Sequence, residues 1–399
     1  KLQGDTGKNL PWGYLTGVRP SKIAYSMLEA GNSDEEIMSE FEEKHFVSHD
    51  KAELAMQVAK TEKKILEDID YTNGYSIYIG IPFCPTTCLY CSFTSYSLAA
   101  NRSKVDLYLD ALVKEMRFVA DRMKGRRIDT VYFGGGTPTT LEPEQLDRLL
   151  NELEADFDMS TVKELTVEAG RPDSVTVQKL EVLKKHGVDR ISINPQTMND
   201  KTLEIIGRRH SATQVEKAFK LARSVGFDNI NMDIILGLPG EGINELRYTL
   251  DKIKELKPES LTVHSLAIKR AAALNIWREK YEDLKFENSD ETVSLAQKYA
   301  GDIGCMPYYM YRQKNMAGNL ENVGYSVPGK ECIYNILIME EKQTIIAMGA
   351  GASTKAVFDA DQPNPRIERV ENVKDLTSYI SRIDEMIERK RLFFDNNML

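Results

Sequence analysis

Three cysteines lie within eight residues, in the segment Cys84-Pro-Thr-Thr-Cys88-Leu-Tyr-Cys91. Thiols on one loop can converge on a single metal centre, and cysteines at short spacings of this kind hold iron–sulfur clusters. A 4Fe–4S cluster held by only three cysteines leaves one iron with an open coordination site. A small chelating molecule can be bound and reduced there. The spacing therefore predicts a redox-active cluster.

Two other interpretations of the triplet are a zinc site and a chance grouping of buried cysteines. A zinc site would need a fourth cysteine or histidine at a compatible spacing. No histidine lies within 30 residues of the triplet on either side. The two remaining cysteines, Cys305 and Cys332, belong to no motif, which is typical of small buried residues.

Glycines and hydrogen-bonding side chains recur where the predicted strands end. Ligands of parallel α/β folds bind at the carboxyl ends of strands. The segment Gly134-Gly-Gly-Thr137 lets the backbone approach a ligand closely, and its carbonyls and Thr137 can accept from an ammonium group. Glu168, Gln196 and Asp233 offer further acceptors, and each acid taken singly also fits a structural ion pair. Arg208 provides a fork for a carboxylate.

The elements that must position these residues alternate between strand and helix. β-Branched runs occur at 75–81, 129–133, 164–168, 189–194, 229–234 and 260–265. Amphipathic stretches lie between them, near 102–123, 142–157, 174–186, 199–225 and 243–256. This alternation predicts six consecutive βα units and a parallel sheet. Six units fall short of the eight of a complete barrel, so periodicity alone fits both an open barrel and a doubly wound sheet.

Different patterns flank this region. Residues 1–71 form a predicted helical region, 72–270 the predicted partial barrel, and 271–399 a predicted region that covers the substrate. The helical patterns of the first region lie at 22–30, 33–42 and 51–68. In the last region the pattern predicts helices over 289–303 and 373–390, strands over 333–339 and 344–348, and a tight turn over 349–353.

Six segments occur in an order that carries a family resemblance. They are Tyr78-Ile-Gly-Ile-Pro-Phe-Cys84, Gly134-Gly-Gly-Thr-Pro138, Val167-Glu-Ala169, Arg190-Ile-Ser-Ile-Asn-Pro-Gln196, Ile206-Gly-Arg208 and Met232-Asp-Ile-Ile-Leu-Gly-Leu-Pro-Gly240. With an aromatic residue before the third cysteine, they resemble the oxygen-independent coproporphyrinogen III oxidase branch of the radical S-adenosylmethionine (SAM) superfamily, most closely its HemZ-type members. The resemblance covers about residues 75–355. It implies an α/β fold with a partial (β/α)6 barrel, a helical N-terminal extension and a smaller α+β C-terminal region.

The resemblance also implies cofactors and residue roles. Cys84, Cys88 and Cys91 would hold a 4Fe–4S cluster whose open iron chelates SAM. Other SAM contacts would be Gly134, Gly135 and Thr137 for the methionine part, Gln196 and Asp233 for the ribose, Arg208 for the carboxylate, Tyr90 and the Leu236–Pro239 turn for the adenine, and Ala267. The implied catalytic positions are Tyr78 and Glu168, the latter as a polar contact near SAM.

Two positions depart from the pattern of the well-studied oxidases. Phe93 replaces a further cysteine two residues after the third ligand, and Gly80 replaces a histidine four residues before the first. Related heme chaperones have phenylalanine at the first of these positions. Their heme-binding His-Asn-Arg-x-Tyr-Trp segment, however, falls where this chain has Tyr334-Asn-Ile-Leu-Ile-Met339.

The implied activity is oxidative decarboxylation of coproporphyrinogen III propionates to vinyl groups. The alternatives are a heme-binding trafficking protein and a radical SAM enzyme that methylates or opens heme. The tetrapyrrole carries several carboxylates, so cations are candidate substrate contacts: Arg19, Lys269, Arg270, Arg312, Lys314 and Lys355. An electron donor such as flavodoxin or ferredoxin is an expected partner.

Composition narrows the class of protein. The 399 residues are 42% hydrophobic and 28% charged, with a formal net charge of −9. The negative charge argues against a nucleic-acid surface. The apolar runs are shorter than the roughly 18 residues of a membrane span, and Lys1 opens a polar stretch without the apolar core of a signal peptide. Clustered cysteines in such a chain predict a reducing cytoplasm.

Overall fold

The computed structural model describes residues 10–17, 19–267, 288–313, 320–362 and 365–397. Within these ranges, eleven strands pair in one mixed sheet. A second, two-stranded sheet carries the first cysteine. The strands are β1 (Tyr75–Ile81), β2 (Phe83–Cys84), β3 (Tyr96–Ser97), β4 (Ile128–Gly135), β5 (Glu164–Glu168), β6 (Arg190–Ser192), β7 (Ile230–Leu236), β8 (Ser260–Ser265), β9 (Met306–Tyr311), β10 (Asn322–Ser326), β11 (Thr344–Met348), β12 (Ser353–Phe358) and β13 (Arg366–Glu371).

The six predicted βα strands are confirmed, three with the predicted bounds and three with bounds that differ by one or two residues at each end. In the sheet they follow one another in chain order, β1-β4-β5-β6-β7-β8, and every pair is parallel. A doubly wound sheet would reverse its strand order after the first strand. The constant direction of winding is that of a barrel, and the predicted fold class, α/β with a partial barrel, is confirmed.

Strands from the C-terminal region extend this parallel sheet at both edges. β11 pairs in parallel with β1 and continues through antiparallel β12 to β13. At the other edge, β10 and β9 add antiparallel strands to β8. Among the described strands the two ends, β13 and β9, do not pair with each other, so the sheet is open.

Most of the helices follow the predicted amphipathic stretches, with two of those stretches divided. Their bounds are α1 (Ser21–Glu29), α2 (Asp34–Ser39), α3 (His49–Leu66), α4 (Leu98–Asn101), α5 (Val105–Arg122), α6 (Pro143–Asp156), α7 (Val177–Lys185), α8 (Asp200–Ile205), α9 (Ala212–Val225), α10 (Ile243–Leu256), α11 (Asp290–Asp302), α12 (Ile333–Glu340), α13 (Leu376–Ser381) and α14 (Ile383–Asn397). The stretch 199–225 divides at Gly207, where φ is +77°, and Ser211 then caps α9. The final stretch, 373–390, divides between α13 and α14. Among the described helices, none is long and apolar enough to cross a membrane.

The predicted strand over 333–339 is wrong, because this segment forms α12. The carboxylate of Glu164, at the start of β5, accepts hydrogen bonds from the backbone N–H groups of Ile333 (2.6 Å) and Tyr334 (3.4 Å). A carboxylate at a helix N-terminus satisfies amides that have no partner within the helix. The Tyr334 ring then stacks on Tyr132 and Tyr78, at centroid distances of 4.5 and 6.3 Å. The helix therefore packs against the parallel strands.

The N-terminal helical region packs against the C-terminal strands. Trp12 is 1% exposed, and its Nε1 donates to the carboxylate of Glu321 at 2.7 Å. Lys51 of α3 forms a 2.5 Å ion pair with the same carboxylate. One apolar core includes residues from all three predicted regions.

Candidate cluster and cofactor site

The three clustered cysteines lie on a loop that begins in β2 and crosses the carboxyl ends of the parallel strands. Sγ of Cys84 lies 3.5 Å from the hydroxyl of Thr137, which follows β4. The loop is also tied to the turn after α8, because Leu89 N–H donates to the Ile206 carbonyl (3.1 Å) and the Thr86 hydroxyl to the Gly207 carbonyl (2.9 Å). All three cysteines line one cavity.

The chemistry of this donor set fits an iron–sulfur cluster. Burial raises the pKa of the Cys84 thiol to about 11 and also raises that of Cys91. A bound metal centre would hold both groups as thiolates. Among the described residues, no three Cys, His, Asp or Glu side chains are arranged to share one metal ion. A cubane cluster instead binds each thiolate to a different iron.

Most of the predicted SAM contacts line the same cavity as the cysteines. They are Tyr90, Gly135, Thr137, Glu168, Gln196, Arg208, Asp233 and Ala267. They come from seven different strand ends or loops, which only the parallel sheet brings together. Their roles toward SAM remain predictions.

Three other predicted positions lie behind this lining. Tyr78 lies beside the stacked pair of Tyr132 and Tyr334, with its ring centroid 6.3 Å from each of theirs. Gly134 is packed so closely that a Cβ atom there would lie 2.9 Å from the Tyr132 ring. Leu236 is 2% exposed, and its carbonyl accepts from the Leu266 N–H. These residues support the cavity from behind.

The packing of the backbone requires glycine at the end of β4. A Cβ atom at Gly136 would lie 2.6 Å from the carbonyl oxygen of Phe83, which is closer than side-chain atoms approach. Gly135 has a φ of +107°, a conformation that favours glycine. The glycines let the end of β4 lie against the residues that lead into the cysteine loop. They thereby place Thr137 beside Cys84.

Arg208 and Tyr90 form the adenine and carboxylate side of the predicted SAM site. Nε of Arg208 donates to the Tyr90 hydroxyl (3.2 Å), and Nη1 donates to the carbonyl of Asn194 (2.5 Å). Arg208 is only 8% exposed. The guanidinium is therefore fixed in position before any ligand binds, which lowers the entropic cost of binding a carboxylate.

Two carboxylates with different acidities face the cavity. Burial raises the pKa of Glu168 to about 7, although a 2.6 Å hydrogen bond from the Tyr132 hydroxyl opposes this shift. Burial also acts to raise the pKa of Asp233, but His264 and a 2.7 Å hydrogen bond from Asn231 lower it overall. Asp233 is therefore ionised at neutral pH, whereas Glu168 titrates there.

The structure adds cavity residues that sequence reasoning did not single out. Nε2 of His264, near the end of β8, lies 3.7 Å from the Asp233 carboxylate, and its Nδ1 lies 3.3 Å from the Tyr311 hydroxyl. Arg171, after β5, also lines the cavity. Applying the strand-end rule to β8 as to the other strands would have found His264.

The two departures from the oxidase pattern lie at different places. Phe93 lines the cavity, yet its side chain is 71% exposed, so it forms part of the cavity rim. Gly80 lies in β1 against β11, where an added Cβ atom would be 3.3 Å from the Met348 carbonyl oxygen. A side chain at this position would require a small movement of β11.

Three of the predicted substrate cations lie in the part of the chain that the structure describes, and none of the three lines this cavity. Arg19 donates to the Glu341 carboxylate (2.6 Å) and the Met339 carbonyl (2.5 Å), and Lys355 lies 3.5 Å from the same carboxylate. Arg312 donates to the Leu15 carbonyl and stacks on Trp12. The other three, Lys269, Arg270 and Lys314, lie outside the described residues. Their roles remain predictions.

Comparisons with known proteins identify the family of this chain. Residues 78–253 match the Radical SAM superfamily. The chain is 42% identical over 393 residues to the oxygen-independent coproporphyrinogen-III oxidase-like protein HemZ of Bacillus subtilis, which covers 98% of this chain and 78% of that protein. It is 39% identical over 194 residues to the heme chaperone HemW of the same organism, covering 48% and 50% of the two chains.

A solved structure supports the same fold. Coproporphyrinogen III oxidase (HemN) from Escherichia coli, described as a radical SAM enzyme, aligns with a TM-score of 0.63 at 22% sequence identity. The alignment covers 82% of this chain and 73% of that chain. At this identity the likeness concerns the fold.

Proposed function

Because the chain belongs to the radical SAM superfamily, and within it to the branch of HemZ-type oxygen-independent coproporphyrinogen III oxidase-like proteins, we propose that it oxidatively decarboxylates propionate side chains of a coproporphyrinogen-type tetrapyrrole. The cofactors of the superfamily are a 4Fe–4S cluster and SAM. When bound, they supply an electron that cleaves SAM to methionine and a 5′-deoxyadenosyl radical.

The proposal rests on one observation, the continuity of the cavity from the cysteine loop to a polar wall on β8 and β9. His264, Tyr311 and Gln313 line this wall, and Glu168, Asp233 and the cysteines line the same cavity. Such side chains can donate hydrogen bonds to a propionate carboxylate. A substrate bound there would lie beside SAM and away from the cysteines.

In this arrangement the side chains bind and orient the reactants. Arg208 would hold the carboxylate of SAM, Asp233 would hold the ribose, and His264 and Tyr311 would hold the propionate of the substrate. The reaction would transfer one hydrogen atom from the β-carbon of the propionate to the radical that SAM supplies. Release of the carboxylate as CO2 and passage of one electron to an acceptor would then leave a vinyl group. An electron donor such as flavodoxin or ferredoxin would supply the electron that reduces the cluster.

A second candidate function is heme trafficking, which Phe93 favours. An aromatic side chain that is 71% exposed at the cavity rim can stack on the face of a macrocycle. Related heme chaperones have phenylalanine at this position. The same rim would also serve an enzyme that methylates or opens heme.

One anaerobic assay distinguishes these candidates. The reconstituted protein is offered coproporphyrinogen III and heme in parallel, with SAM and reductant, and the products are identified by mass. We expect vinyl products from coproporphyrinogen that depend on both SAM and reductant. Stoichiometric heme binding without turnover would instead indicate trafficking, and SAM-dependent loss of heme would indicate heme modification. Either result would contradict the proposed decarboxylation.

Glu168 should make the binding of SAM dependent on pH. Because burial raises the pKa of Glu168 to about 7, its carboxylate is neutral at lower pH. If the ionised form accepts a hydrogen bond from SAM, the dissociation constant should rise by up to about tenfold for each pH unit below 7. Calorimetric titration with SAM between about pH 6 and pH 8 measures this change in the dissociation constant, because Glu168 changes its protonation state in that range.

The matched control is Glu168→Gln, which keeps an acceptor but does not ionise. We expect weaker binding at pH 8 and a nearly flat profile at lower pH. Asp233 should not contribute, because its lowered pKa keeps it ionised across this range. An unchanged pH profile in Glu168→Gln would show that another group is responsible.

A further inference from the structure

Arg171 contacts both a cluster cysteine and the loop that carries it. This residue follows β5 and is 3% exposed. Nη1 lies 3.8 Å from Sγ of Cys88, as a donor to sulfur. The same nitrogen donates to the carbonyl and the hydroxyl of Thr86, both at 3.1 Å. One buried guanidinium therefore bridges the thiol and the backbone of the cysteine loop.

Asp173 fixes the orientation of this guanidinium. Its two carboxylate oxygens accept from Nε (3.0 Å) and Nη2 (2.9 Å) of Arg171, which is a bidentate pair. Such pairs hold a guanidinium in a defined plane. Nη1 faces the cysteine loop, and Nη2 also donates to the Thr86 hydroxyl at 3.1 Å. The charge is thus held against Cys88 whether or not a substrate is present.

We propose that Arg171 is a positioning residue that sets the reduction potential of the cluster held by Cys84, Cys88 and Cys91. Reduction adds one negative charge to the cluster. A positive charge hydrogen-bonded to a ligand sulfur stabilises the reduced form more than the oxidised form, and so raises the potential. Burial strengthens this effect, because salt and water screen a buried charge poorly.

Arg208 is a second guanidinium in this cavity, and it also interacts with the Cys88 sulfur. Its hydrogen bonds go to Tyr90, Asn194 and the Gly170 carbonyl, on the side where SAM is expected. Changing Arg208 would therefore alter cofactor binding as well as the charge near Cys88, whereas Arg171 contacts the sulfur and the backbone of the cysteine loop. The inference concerns the cluster alone and holds for each tetrapyrrole reaction considered above. Failure of the decarboxylation proposal would leave it unaffected.

The test is the midpoint potential of the reconstituted cluster, measured by a redox titration that is followed by electron paramagnetic resonance. For Arg171→Gln, we expect the ratio of reduced to oxidised cluster at a fixed potential to fall about tenfold. This corresponds to a shift of about 59 mV toward negative values for a one-electron couple. Arg171→Lys keeps the positive charge and should shift the potential less.

Asp173→Asn provides a prediction of opposite sign. It removes the negative partner and leaves the guanidinium, so the potential should move toward positive values. Loss of loop structure alone would not give opposite shifts in the two variants. The control is Arg366→Gln, a surface change whose side chain is 53% exposed, which should leave the potential unchanged.

Two results would overturn the inference. One is a wild-type potential in Arg171→Gln, and the other is a shift in Asp173→Asn that is absent or negative. If Arg171→Gln retains too little iron to titrate, Asp173→Asn still decides the question by the sign of its shift. Iron content and the melting temperature of the cluster-free variants separate loss of the loop from a change in potential.

Discussion

Replacing Cys84 with alanine is expected to abolish the cluster and, with it, every SAM-dependent activity of the protein. The cavity offers three thiols, and a cluster with two ligands would have two irons without a protein ligand. We expect iron and sulfide contents near zero after reconstitution and no charge-transfer absorption from the cluster. SAM cleavage should fall to the level of the buffer.

The matched control for this variant is Cys305→Ala. Cys305 is also a buried free cysteine, but it lies before β9 and its Sγ donates to the Glu259 carbonyl at 3.5 Å. Loss of this sulfur should cost about 1 kcal/mol of stability and leave the iron content at the wild-type level. A cluster that survives in Cys84→Ala but is lost in Cys305→Ala would show that the ligand assignment is wrong.

Replacing Glu164 with alanine should produce the largest loss of stability among the variants considered. Its buried carboxylate accepts hydrogen bonds from the first two N–H groups of α12 and from the Cys332 thiol at 3.3 Å. Removing it leaves these donors unsatisfied in the interior and opens a cavity. We expect the free energy of unfolding to fall by roughly 2–5 kcal/mol.

Two controls define this effect. Glu164→Gln keeps an acceptor oxygen for the helix N-terminus and should be destabilised less than Glu164→Ala. Glu385→Ala removes an exposed carboxylate from α14, whose side chain is 48% exposed, and should change stability by less than about 0.5 kcal/mol. Denaturant titration of the cluster-free proteins measures all three without interference from cluster loss. Equal stability of Glu164→Ala and wild type would contradict the role of Glu164 in holding α12.

The segment 333–339 shows where sequence reasoning reached its limit. A short apolar run fits a buried strand and a buried helix equally well. The helix forms because Glu164, more than 160 residues away in the chain, lies where the amides of Ile333 and Tyr334 need an acceptor. No local pattern records that contact.

The predicted substrate cations show that sequence reasoning also could not tell which charged residues pair with each other. Arg19 and Lys355 are far apart in the sequence, yet both contact Glu341 in the structure. A sequence lists the charged residues but not their pairing. Arg19 and Lys355 were predicted to contact the substrate but do not line the cavity. Conversely, Arg171 and His264 were not predicted to belong to a site, but both line the cavity.

The sequence by itself predicted the cluster ligands, and it determined the order and approximate bounds of the parallel strands and most cavity-lining residues at the strand ends. These features are encoded locally, as cysteine spacing, β-branched runs and turn glycines. The tertiary structure alone decided the guanidinium beside Cys88, the acidities of Glu168 and Asp233, and the helical state of α12. These depend on burial and on pairing between residues distant in the chain, and both arise only when the chain has folded.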